Sequence, residues 1–177
     1  YKREYASYLL ATALGWDIIP PTVIRNGPLG EGSLQLFLEV ERESNYFTLS
    51  ELHMRAFQTI AVFDYVTNNA DRKANHCLRD LDGKIWCIDH GLTFHHENKL
   101  RTVIWDFADQ TIPPQLLDHL SNFFDTICSS SPITKALTPL LTPEEITALT
   151  YRVGHILETQ RFPQLDPTRI NIPWPWF

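Results

Sequence analysis

Only three cysteines occur, Cys77, Cys87 and Cys128, an odd number without a C-x-x-C pair. Neither a zinc knuckle nor a disulfide framework follows from them, and three reduced, buried thiols of a cytosolic protein are expected. Basic residues are also scarce, 15 against 21 acidic, for a net charge of −6. That balance argues against a large nucleic-acid footprint, which needs clustered Lys and Arg. No apolar run approaches the roughly 18 residues that a membrane-spanning helix requires. A secretory signal is missing, and the chain opens at Tyr1 without a methionine. A fragment or a processed product located in the cytoplasm is expected. The H-E-x-x-H and G-x-S-x-G patterns are absent, which removes the commonest zinc-protease and serine-hydrolase readings. Seven glycines against twelve prolines disfavour low-complexity disorder.

The 177 residues, 44% of them hydrophobic, suffice for one domain that hides roughly 70% of its unfolded surface. A first helix is expected over residues 2–14 on a Tyr5, Leu9, Ala13 stripe, closed by Gly15. Two strands, Ile18–Ile24 and Leu34–Val40, flank turn signals at Asn26-Gly27-Pro28 and Gly30-Glu31-Gly32 and are expected to pair. Thr48 to Glu51 fits a capping box opening a long helix to about Val66, with Leu52, Ala56, Ile60 and Phe63 apolar. Short strands His76–Leu81 and Lys84–Asp89 surround Asp82-Gly83, a hairpin turn signal. The chain is then irregular to about Pro114 and helical beyond it. Thr142-Pro143-Glu144-Glu145 opens the clearest helix, with a stripe of Ile146, Leu149, Val153 and Ile156. The aromatic tail from Pro173 to Phe177 is expected to pack down by its rings. Helices dominate and the hairpins are small, which is an α+β pattern.

Polar residues concentrate in Asn68-Asn69-Ala70-Asp71-Arg72-Lys73-Ala74-Asn75-His76 and, thirteen residues later, in Asp89-His90-Gly91. A tight hairpin joins the two segments and folds its ends together, so Asp71, Asn75 or His76, and Asp89 are expected near one point. Carboxylate and amide oxygens in such a group suit a hard divalent cation such as Mg²⁺. Asp, Asn and Gly are equally the residues of solvated turns. The apolar run Ile85 to Ile88 before Asp89 makes burial of that acid costly unless a cation or hydrogen bonds compensate. Gly91 is expected to ease the backbone turn there.

An acid-bearing loop, a β-hairpin and then Asp-x-Gly resembles the kinase catalytic centre. The form Asp71-Arg72-Lys73-x-x-His76 with Ile88-Asp89-His90-Gly91 resembles the phosphatidylinositol 3-/4-kinase pattern, and the same order occurs in Hip-type serine/threonine kinases. With Leu92-Thr93-Phe94-His95 and Lys99 to Trp105, the similarity is to a bacterial phosphatidylinositol 3-/4-kinase-like family. It runs from Arg3-Glu4 to about Pro114.

The resemblance implies the mainly helical C-lobe of a kinase-like fold, with helix C and hinge strands in residues 1–40 and the C-lobe in residues 41–177. The usual strand lysine and glycine-rich phosphate loop are not found, so most of an N-lobe is expected to lie upstream or to have been lost. It further implies ATP with Mg²⁺ or Mn²⁺ as cofactors, and a protein, lipid or small-molecule hydroxyl as acceptor. Asp71 would position or deprotonate that hydroxyl, and Asp89 would hold the metal on the nucleotide phosphates. His76 stands where the family has a metal-binding Asn, so either His76 or Asn75 is the second metal residue. Lys73 would offset phosphate charge, or is an ordinary exposed lysine. Glu4 matches the helix glutamate of the nucleotide site, and backbone groups of Leu36, Phe37 and Leu38 would meet adenine in a hinge strand. Otherwise Glu4 is a surface acid near a helix start, and the apolar run is a core strand. Lys99 and Arg101 would meet an anionic acceptor or form a solvated basic pair.

His95 and His96 read as a surface pair whose side chains point apart. His53, His119 and His155 read as helix residues without partners. The acidic balance, with no basic amphipathic helix, favours a protein or small-molecule acceptor over a membrane lipid. The alternative to a phosphotransferase is a non-catalytic, pseudokinase-like nucleotide-binding or scaffold module. An unrelated metal-dependent phosphoester hydrolase is the remaining reading.

Overall fold

A computed structural model describes residues 1–129 and 131–177. Helix α1 spans Lys2–Ala13. It ends where Gly15 takes φ +70°, with Gly15 N–H donating to Thr12 O and Trp16 N–H to Ala11 O at 2.8 Å. Paired backward bonds of this kind satisfy orphan carbonyls, and the left-handed residue they need is cheapest as glycine. The buried face is Ala6, Ser7, Leu10 and Ala11, not the Tyr5, Leu9, Ala13 stripe. Small residues face inward because β1 and α5 pack closely against this helix.

Strands β1 (Thr22–Gly27) and β2 (Gly30–Gln35) form an antiparallel hairpin in which Gly27 pairs with Gly30. The turn is therefore only Pro28-Leu29, and Gly30 to Gly32 belong to a strand rather than a turn. Strand β2 stops at Gln35, so the expected strand through Leu36, Phe37 and Leu38 is not formed. Phe37 is 87% exposed, which also removes the core-strand reading of this run.

The expected capping box at Thr48 is displaced. Asn45 caps the short helix α2 (Tyr46–Leu49), accepting from Phe47 and Thr48 N–H, while Asn45 N–H donates to the Thr48 hydroxyl. The long helix α3 starts later, at Met54, and runs to Thr67. Leu52 lies outside it and is exposed, while Ile60 and Phe63 are buried as expected.

Strands β3 (Cys77–Arg79) and β4 (Ile85–Cys87) pair around the Asp82-Gly83 turn, with Gly83 at φ +86°. Helices α4 (Pro114–Ile127), α5 (Pro132–Leu137) and α6 (Pro143–Thr159) follow. The Thr142 capping box of α6 forms as read from the sequence, and Leu149, Val153 and Ile156 are buried. Helix α6 packs on α3 and α4, and Gly154 lets it approach the Phe124 ring.

The architecture is α+β, a helical C-lobe-like body with two small antiparallel hairpins. No helix of the described residues is long and apolar enough to cross a membrane. Cys77 and Cys87 are buried as expected, but Cys128 is exposed just past the end of α4. The tail is held by its backbone rather than its rings. Trp176 O accepts from Ala74 N–H at 2.9 Å, whereas Trp174 is 85% exposed.

Candidate active site

Helix α3 ends on Asn68, which adopts the left-handed conformation at φ +53°, and releases the polar loop Asn69 to His76. The hairpin does what its spacing implies. Cys77 pairs with Cys87, Ile88 N–H donates to His76 O at 3.0 Å, and Asp89 Oδ2 lies 3.4 Å from His76 Nε2. On the same loop, Lys73 Nζ is 3.2 Å from Asp71 Oδ2. Both carboxylates act on the His76 ring and favour its protonation. Burial and then the Arg72 guanidinium outweigh them, so the His76 pKa falls below its usual value. Neutral His76 accepts at Nδ1 from Lys73 N–H (3.4 Å), which leaves the proton on Nε2, facing Asp89. Asn75 is exposed, and its side chain makes no hydrogen bond among the described residues.

The left-handed residue at this turn is Asp89, at φ +58°, not Gly91. Such strain in a non-glycine residue persists only where neighbours enforce it. The enforcing group is Arg72, to which the sequence alone assigns no role. Its guanidinium is wholly buried and donates from Nε and Nη2 to Asp64 at 2.9–3.1 Å. Nη1 donates to Ile88 O at 2.8 Å, and Nη2 lies 2.8 Å from His90 Nε2. Burial opposes the charge on Arg72, but Asp64 more than restores it, so its pKa is raised. Since arginine only donates, His90 Nε2 accepts and Nδ1 carries the proton. Burial and Arg72 both push the His90 pKa well down, consistent with a neutral ring.

Asn69 completes the frame, donating to Asp64 and accepting from Asp71 N–H, each at 3.0 Å. Asn68 clamps the next segment, donating to His95 O and Glu97 O and accepting from Lys99 N–H.

Glu4 reaches the same turn from α1. Its Oε1 accepts from His90 N–H at 2.8 Å, and its pKa is raised by burial and then by Asp89. Helix α1 is thereby tied to the residue after Asp89. Leu36 N–H is spent on Pro21 O, while the backbones of Phe37 and Leu38 make no hydrogen bond among the described residues.

A family model described as phosphatidylinositol 3- and 4-kinase matches residues 24–131, more than half of the chain and both segments of the site. The chain belongs to the phosphatidylinositol 3- and 4-kinase family. It is similar to protein Rv2133c of Mycobacterium tuberculosis (strain ATCC 25618 / H37Rv), at 35% identity over 210 residues covering 99% of this chain and 74% of that protein.

In this family member, Asp71, Lys73, His76 and Asp89 cluster at one end of the β3–β4 hairpin, and Glu4 reaches it through His90. Leu36 to Leu38 lie on an exposed connection instead of in a strand. His95 and His96 do not point apart, because their rings stack with centroids 4.6 Å apart. His119 does have a partner, accepting from Trp16 Nε1 at 2.8 Å. His53 precedes α3, and His155 stacks on Tyr151. Lys99 is paired with Glu97 at 3.1 Å. Asp64, Arg72 and His90 carried no readable signal beyond their place beside the acids, since a buried pair becomes visible only once α3 packs under the loop.

Proposed function

We propose that the protein is an ATP- and divalent-metal-dependent phosphotransferase acting on a hydroxyl acceptor. The observation that supports this reading is the seating of Asp89 against His76 beside the Asp71–Lys73 pair, on a frame held by Arg72. Asp71 positions the acceptor hydroxyl and takes its proton. Lys73 offsets phosphate charge. Phe37 and Leu38 offer unpaired backbone groups to the base. Glu4 holds the turn that carries Asp89.

The donor set fits a hard cation through oxygen. The Asp89 side chain is 54% exposed, and the Asn75 amide is unengaged among the described residues. His76, with its proton on Nε2, acts as the hydrogen-bond partner of Asp89. Bound Mg²⁺ or Mn²⁺ supplies charge neutralisation at the nucleotide phosphates. The acceptor read from the acidic balance of the chain is a protein or small molecule rather than a lipid.

The test is nucleotide-dependent phosphate transfer or hydrolysis by the purified chain together with its expected upstream N-lobe segment. Asp71→Asn is expected to lower turnover by about 10²–10⁴-fold, the usual contribution of a positioned acid or base, and Asp89→Ala to abolish it. Full turnover in Asp89→Ala would refute the proposal. A thermal shift with ATP and Mg²⁺, without turnover in any acceptor assay, would assign the site to nucleotide binding alone. Phosphate incorporated into phosphoinositide vesicles but not into soluble acceptors would reverse the acceptor preference.

A further inference from the structure

Among the described residues two arginines are buried, Arg72 and Arg152, and Arg72 alone has a carboxylate at ion-pair distance. Arg72 has Asp64. Arg152, on α6, is 8% exposed, and burial pulls its pKa down to about 10. Its Nε donates to Val66 O at 2.8 Å and its Nη1 to His95 O at 3.4 Å. Nη2 has no partner among the described residues. The acid that acts on it from its own helix, Glu145, is committed to Arg3 at 2.5 Å and to Thr142 N–H at 3.0 Å. A buried cation with no carboxylate at ion-pair distance is incompletely compensated, and an anion would complete the compensation.

The surroundings match that need. Arg152 lines a cavity of about 250 Å³ with Asn68, His96, Asn98 and Tyr151. A larger cavity of about 520 Å³ shares the wall of Tyr65, Asn98 and Leu100 and adds Lys99, Arg101 and Arg169. Arg101 forms no ion pair among the described residues, while Lys99 and Arg169 are paired at the exposed rim with Glu97 and Asp166. In a chain of net charge −6, this cleft is lined by Arg152, Lys99, Arg101 and Arg169 against one acid, Asp166, and an excess of one sign concentrates counter-ions. None of Asp71, Lys73, His76 or Asp89 lines either cavity. The cleft therefore excludes those four side chains, although it takes in Lys99 and Arg101, the residues expected to meet an anionic acceptor or form a solvated pair.

We propose that this cleft binds a phosphate group, seated on the Arg152 guanidinium with His96 and Tyr151 at its mouth. An organic body attached to the phosphate has room in the larger cavity along Tyr65 and Leu100. Arg152 and Asn68 already hold the His95–Lys99 segment through its backbone. A bound anion therefore joins α6 to the segment that follows the Asp89 turn, and occupancy stabilises that segment.

The test is titration of the purified protein with inorganic phosphate and, separately, ribose 5-phosphate, against a chloride control, by calorimetry and thermal shift. Saturable binding is expected. Arg152→Gln is expected to weaken it at least about tenfold, since it removes a charge-assisted bond to the anion. His96→Asp, at an exposed position that leaves the core intact, is expected to do the same and decides the matter if Arg152→Gln does not fold. Lys73→Met is expected to leave both affinities unchanged. Tighter binding of ribose 5-phosphate identifies a phosphorylated small molecule as the source of the group, and equal affinities identify free phosphate. Absence of saturable binding, unchanged affinity in His96→Asp, or loss of affinity in Lys73→Met would overturn the proposal.

Discussion

Replacing Arg72 by methionine tests the frame beneath the candidate active site. The guanidinium and the Asp64 carboxylate are both wholly buried, joined at 2.9–3.1 Å, so the substitution strands a carboxylate in the core. Removing one partner of a buried pair costs about 3–5 kcal/mol, because the remaining charge keeps its desolvation penalty and loses its compensation. Ile88 O and His90 Nε2 also lose their donor. Against a total of about 5–15 kcal/mol for an ordinary domain, that is a large fraction. At about 2–4 °C per kcal/mol for a chain of this size, Tm falls by roughly 6–20 °C. Urea denaturation followed by circular dichroism, alongside a thermal scan, measures it. The companion Asp64→Leu/Arg72→Met variant removes both charges and is expected to recover much of the loss. A single variant within about 1 kcal/mol of the parent, the level of an exposed ion pair, would refute the reasoning. So would a double variant no better than the single one.

Three further outcomes follow from particular contacts. Thiol titration of the native protein is expected to show one fast cysteine, the exposed Cys128, and two slow ones. Burial holds the Cys77 thiol up at about 12 and raises Cys87 as well, so neither offers thiolate until the chain unfolds. Thr142→Ala breaks a reciprocal cap in which Glu145 N–H donates to the hydroxyl at 3.3 Å and Thr142 N–H to Glu145 at 3.0 Å. The expected loss is about 1 kcal/mol, read as a Tm lower by a few degrees. Gly154→Leu is expected to cost about 1–3 kcal/mol by overpacking. Even a Cβ at position 154 would meet Phe124 Cε2 at 3.3 Å, and the loss is measured by the same denaturation.

What could be read from residues alone was what local chemistry decides. The Schellman-type ending at Gly15, the Thr142 capping box and the Asp82-Gly83 hairpin each depend on a few adjacent residues, and each formed. The same locality carried the approach of Asp89 to His76, because a two-stranded ribbon with a short turn fixes its own ends. The structure departs from the local pattern where two local solutions compete. Asn45 and Thr48 both begin capping patterns, and the helix beginning at Asn45 won once Tyr46 and Leu49 found the core. On α1, period alone favoured the larger side chains, but close packing selected Ala6 and Ala11.

Tertiary structure alone decided the charge accounting. The sequence places Asp64 and Arg72 eight residues apart, and nothing in that spacing says that both are sealed from water. Nor does it say that Arg152, far along the chain, is sealed without a carboxylate. Burial depends on which helices pack over which loop, and the energy of a charge depends on burial, so these properties exist only in the folded molecule.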